Sequence, residues 1–165
     1  MGELVAGLRI CDGVLLVVDA IEGVMLMTEK IIKHIIREKL PVVVVINKID
    51  RLIIEMKIPP EDAYLKLKHT LEEINGIFLK CAQQLGMENN YKISPALNNV
   101  VFAAAEYGFI FNLELMARKY QERFPSVDPS AFKSILWGDY YFNRETRKFQ
   151  RTSQPPPQDK KRTFV

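Results

Sequence analysis

The sequence predicts an α/β fold in which a mostly parallel sheet is flanked by helices. Val14 to Val18 and Val42 to Ile46 are unbroken apolar runs rich in β-branched residues, and Val100 to Ala103 is a shorter one. Runs apolar at every position read as strands covered on both faces, which is the habit of parallel sheets. Helical periodicity fills the intervals. The order β, α, β, α, β, α then requires crossover connections, and these are right-handed. No internal repeat is visible.

Each element has its own signal. Glu3 to Asp12 places Leu4, Val5, Leu8 and Cys11 roughly on one face, a helix that delivers the chain into the first strand mid-architecture. After that strand, Thr28 is the candidate N-cap of a helix whose Ile31, Ile32, Ile35 and Ile36 recur at helical spacing. Lys30, Lys33, His34 and Arg37 fill its opposite side. Pro59 and Pro60, followed by Glu61 and Asp62, mark another helix start. Leu67, Leu71, Ile74, Phe78, Cys81 and Leu85 follow at spacings of four, three, four, three and four, and Gly86 supplies the stop. Residues 87–99, rich in Asn and holding Pro95, read as a loop before the third strand. Leu113 to Arg123 is a further helix, and Pro129 opens a short one running to about Trp137. Tyr140, Tyr141, Phe142 and Phe149 around Asn143 to Thr146 suit a hairpin. Residues 1–150 are therefore expected to form one domain, with 151–165 a basic, Pro-containing linker or tail.

Composition bounds the function. With 165 residues, 48% apolar and 26% charged, the chain suits a single folded body burying roughly 70% of its unfolded surface. No apolar run approaches the ~20 residues that cross a bilayer, and the first residues lack the pattern of a secretory leader. No membrane partner and an intracellular home are expected. Two cysteines, Cys11 and Cys81, without a CxxC or a neighbouring His, exclude a disulfide framework and a zinc site and read as small buried hydrophobes. Net charge is +3, yet residues 147–165 carry six Lys or Arg against Asp159 alone, so the body before them is slightly acidic. Any phosphate contact of the basic kind belongs to that tail. Pro155 to Pro157 make a solvated linker the plainer reading.

In open α/β sheets ligands bind beyond the carboxyl ends of the strands. Ile46 is followed by Asn47, Lys48, Ile49 and Asp50, an N-K-x-D tetrad at the end of the most apolar strand. Its chemistry is base recognition. A carboxylate accepts two hydrogen bonds side by side, which matches N1–H and the exocyclic amine of guanine and mismatches adenine. Asp50 would select guanine, the stem of Lys48 would lie over the purine face, and the Asn47 amide would bind the base and tie neighbouring loops. The alternative is architectural: Asn47 caps the strand end, Lys48 is solvated and Asp50 caps the next helix. Asp19, at the end of the first strand, reads as a loop residue of architecture. Ala103, Ala104, Ala105 and Glu106 offer backbone N–H groups near a base oxygen, or simply a tight turn. The 165 residues contain no G-x-x-x-x-G-K-[ST], so nothing here is read as holding the β- and γ-phosphates. His34 and His69 lie on polar helix faces and read as solvated; no catalytic set is visible.

Leu8 to Glu29 and Val45 to Leu52 resemble the G domain of translational GTPases of the elongation factor 2 type, from Leu4 to the tail. Lys57 to His69, Ile93 to Val100 and Leu136 to Phe149 are most similar to the elongation-factor-2-like GTPases of the spliceosomal U5 small nuclear ribonucleoprotein. The resemblance implies the C-terminal part of a P-loop GTPase-type G domain, without the N-terminal P-loop and switch segments. It makes Asn47, Lys48 and Asp50 the guanine-specificity motif and Ala104 and Ala105 the last base-contacting motif. It implies GTP or GDP as ligand, with magnesium in the complete domain but its ligands not among these residues. It implies spliceosomal proteins, including the large U5 scaffold protein, and U5 small nuclear RNA as partners, a role in spliceosome remodelling, and a nuclear location. Met27 stands where ribosomal factors have Gln, and Ala103 to Ala105 replace a Ser-rich loop, which leaves a backbone contact to the base. No catalytic residue and no GTP hydrolysis are expected from these residues alone. Two other readings remain open at this point: part of the ribosomal translocation factor, and a protein-docking module in which nucleotide is a permanent brace or absent.

Overall fold

The computed structural model describes residues 2–125, 128–143, 148–151 and 161–162. A four-stranded sheet of order β1-β2-β3-β4 carries the body of the molecule, built from β1 (Val14–Asp19), β2 (Val42–Asn47), β3 (Val100–Ala104) and β4 (Phe109–Phe111). β1, β2 and β3 are parallel, and β4 returns antiparallel. The register pairs Val14 with Val42 and Asp19 with Asn47, so the first two strands end side by side.

Helix α1 (Gly2–Ile10) leads into β1, α2 (Leu26–Glu38) joins β1 to β2, and α3 (Ile49–Ile54) and α4 (Pro60–Gln84) lie between β2 and β3. α4 follows the sequence expectation closely: Pro60 occupies its first turn beside Glu61 and Asp62, and Leu67, Leu71, Ile74, Phe78 and Cys81 are all buried. Ile32, Ile35 and Ile36 of α2 join that core with Leu16, Val18, Val44, Ile46 and Phe102. Asn75, in the middle of α4, ties the helix to the segment that enters β3. Its Nδ2 donates to the Ile93 carbonyl at 2.8 Å, and its Oδ1 accepts from the Ile93 N–H at 2.9 Å. Helices α5 (Leu113–Arg123) and α6 (Pro129–Leu136) pack on each other through Leu113, Ala117, Phe132 and Leu136. Trp137 joins the pair to the main core, its ring 5.0 Å from Tyr64 and 5.8 Å from Phe102.

The predicted hairpin is present as β5 (Tyr140–Asn143) antiparallel to β6 (Lys148–Arg151). Its turn, 144–147, lies outside the described residues, as does most of the 151–165 segment. Within that segment β7 (Lys161–Arg162) pairs antiparallel with β5. Among the described residues no helix is long and apolar enough to cross a membrane.

Several sequence expectations need correction. The first apolar run is not covered on both faces: Leu15 is 70% and Val17 60% exposed, because nothing among the described residues covers the outer face of β1. Thr28 is not the cap of α2, since the helix begins at Leu26 and Met25 takes the extended cap conformation without a side-chain bond. Cys81 is buried but Cys11 only half-buried, its thiol 3.5 Å from the Leu8 carbonyl at the end of α1. His69 is exposed as expected, whereas His34 is half-buried. Two elements went unread. α3 is too short for periodicity to reveal. β4 follows a 3₁₀ turn, Ala105–Tyr107, closed by Gly108 at φ 66°, a backbone region that favours glycine.

Candidate functional site

The parallel register brings the carboxyl ends of β1, β2 and β3 to one edge of the sheet. Three connections leave that edge: the loop after Asp19, the tetrad after Ile46, and the turn after Ala104. Hydrogen bonds lace them together. Asn47 sits at the centre. Its carbonyl accepts from the Ala20 N–H at 2.9 Å, and its side-chain Oδ1 accepts from the Lys48 N–H at 2.8 Å and the Ala105 N–H at 3.2 Å. The expected tie between loops is therefore real, and it joins two of the residues singled out from the sequence.

Lys48 follows in the left-handed region, at φ 63° and ψ 34°. Lysine rarely adopts that conformation, which costs about 1 kcal/mol or more and persists where neighbours impose it. Its ammonium is not simply solvated: Nζ lies 2.7 Å from Asp19 Oδ2, with the Asp19 side chain largely buried. Asp19 Oδ1 accepts from the Ile21 N–H at 2.8 Å and from the Glu22 N–H at 3.4 Å. Burial would raise the Asp19 pKa, but the hydrogen bonds from Lys48 and from the two backbone amides outweigh it and hold the carboxyl below its ordinary value. Asp19 is the residue the sequence reading set aside as architecture. Its signal was its place at the end of a strand as long as the one ending at Asn47.

Asp50 lies one residue inside α3, past the cap position, which Lys48 occupies. Its residue is half-buried, and its Oδ1 is buried with no hydrogen-bond partner among the described residues. A buried carboxylate oxygen without a donor is costly and calls for one. That oxygen is closed to solvent, so a donor from outside the protein reaches the carboxyl only if the side chain turns. Ala104 ends β3 with its methyl fully buried, and its backbone is paired in register with Phe109. Ala105 is exposed, with its amide already turned to Asn47. Asn47, Lys48 and Ala105 thus meet directly. Asp50 stands beside them on the next helix, and the structure brings none of the five together with a histidine or cysteine. Among the described residues no three His, Cys, Asp or Glu side chains are grouped to hold a metal. An apolar recess of about 630 Å³, lined by Ile49, Leu52, Tyr64, Phe102, Phe111 and neighbours, adjoins the tetrad through Ile49 and includes none of Asn47, Lys48, Asp50, Ala104 and Ala105.

Comparison with known proteins points the same way. Residues 1–137 match the family model of the elongation factor Tu GTP binding domain. Pre-mRNA-splicing factor cwf10 of Schizosaccharomyces pombe is 46% identical over 151 residues, 92% of this chain and 15% of that protein. The 110 kDa U5 small nuclear ribonucleoprotein component CLO of Arabidopsis thaliana is 46% identical over 164 residues, 99% of this chain and 16% of the relative. The 109 kDa component GFL of the same plant is 44% identical, with the same coverage. The chain thus spans about one-sixth of the length of these relatives.

Proposed function

We propose that this chain, which belongs to the elongation factor Tu GTP-binding domain family, reads the guanine base of GTP or GDP within a U5-type spliceosomal GTP-binding protein. The observation that carries the reading is local. Asn47 locks two strand-end loops with one side-chain oxygen, while the neighbouring Asp50 keeps a buried carboxylate oxygen unpaired. In this arrangement Asp50 accepts from the base edge, the Lys48 stem covers a purine face, and the turn at Ala104 and Ala105 approaches the base oxygen, the Ala105 amide being shared with the Asn47 side chain. The buried Asp50 oxygen is closed to solvent, so the side chain must turn toward the crevice to meet the base, and the bond so formed would pair an oxygen the protein leaves without a donor.

The names of the relatives supply the setting. One is a splicing factor and two are U5 ribonucleoprotein components. The corresponding partners here are spliceosomal proteins, the large U5 scaffold protein and U5 small nuclear RNA among them, with a nuclear location. Magnesium and the triphosphate would be held by residues other than those named here.

The reading is tested by titrating the isotopically labelled 165-residue chain with guanosine and with adenosine and following amide resonances. Guanosine should shift Asn47, Asp50 and Ala105 at concentrations where adenosine leaves them still. Equal responses to the two nucleosides would remove the base-reading role.

A further inference from the structure

Asp19 stands opposite Asn47 in the parallel register, one strand away from the tetrad. Its two oxygens do different things. Oδ1 is held by the Ile21 and Glu22 amides of its own loop, while Oδ2 grips the Lys48 ammonium at 2.7 Å. A lysine stem is a flexible chain that ordinarily loses its freedom only when a ligand orders it. Here the head is anchored beforehand, and the backbone at Lys48 is fixed in the left-handed region.

We infer that Asp19 is a positioning residue for base recognition: by anchoring the Lys48 ammonium it sets the lysine stem as a preformed wall of the purine crevice. The inference rests on reading the tetrad as a guanine site. It divides the labour between two carboxylates. Asp50 reads the edge of the base and so decides which purine enters; Asp19 acts through a stem that meets the purine face and so strengthens binding without choosing the base.

The test uses the 165-residue chain, with guanosine and inosine as probes, the second lacking the exocyclic amine. Asp19→Asn retains an amide oxygen for Ile21 and Glu22 but removes the charge that holds Lys48. It should weaken both nucleosides by the same factor, about fivefold, the scale of a partly shielded ion pair. Lys48→Met, which keeps the stem and removes its head, should lose a similar factor. The double variant Asp19→Asn, Lys48→Met should bind no more weakly than Lys48→Met alone, a lack of additivity that a purely loop-building Asp19 does not produce. Unchanged affinity in Asp19→Asn, or losses that add, would overturn the positioning role while guanosine binding by the parent chain stands. If Asp19→Asn does not fold, Lys48→Met decides, and unchanged binding there overturns it equally. Failure of the parent chain to bind guanosine would overturn the guanine reading, and this inference with it.

Discussion

One side-chain oxygen of Asn47 serves the amides of Lys48 and Ala105, and no other side-chain acceptor is bonded to either amide among the described residues. Asn47→Ala should therefore cost about 1–2 kcal/mol of stability, the scale of a lost partner for the part-buried Lys48 amide with a smaller share from the exposed Ala105 amide, read from the urea midpoint at unchanged slope. The Ala105 amide resonance should move with it. Much of this residue-level chemistry was legible beforehand. An Asn at a strand end is suited to tie neighbouring loops, and residue type alone states it. The Asp19 to Lys48 pair was not legible, because it depends on the register between two strands and on a left-handed turn at Lys48. Nor does the sequence say that Ala104 lies fully buried while Ala105 is exposed with its amide at Asn47.

At the scale of elements, β1 shows how far an apolar run informs. Five consecutive apolar residues gave the strand and its end, but not its neighbours. A strand repeats every two residues, so burial alternates once one face is open: Leu16 is 4% exposed and Leu15 70%. Leu16→Ala should cost about 2–5 kcal/mol, and Leu15→Ala less than about 1 kcal/mol, in paired denaturant melts. Similar costs at the two positions would mean that something covers the outer face of β1. Long α4 was legible because six apolar positions hold one helical period over several turns. α3 and β4 were not, because six and three residues are too few for any period to declare itself. The grip of Asn75 on Ile93 was equally hidden, since a polar residue within a helix reads as solvated until its distant partner is known.

At the scale of the whole molecule, the four-stranded sheet has the carboxyl ends of β1, β2 and β3 tied to one another at one edge, and the pH response should reflect that. The Asp19 carboxyl is held below its ordinary value, so its contribution stands in full at neutral pH. It is lost as pH falls below about 4 and through the lowered folded value. The stability difference between the parent chain and Asp19→Asn should accordingly shrink on acidification, in urea melts taken from pH 7 downward. A difference that stays constant would place the shift elsewhere.

The proposed reading of guanine rests on Asp50, and changing one atom of its side chain tests that proposal most directly. Asp50→Asn replaces an acceptor with an amide donor, which clashes with the exocyclic amine of guanine but matches the oxygen that xanthine carries at that position. In competition between guanosine and xanthosine on this variant, preference should cross from guanosine to xanthosine, with guanosine weakened about tenfold or more. A variant that still prefers guanosine by the parent's margin would contradict the account.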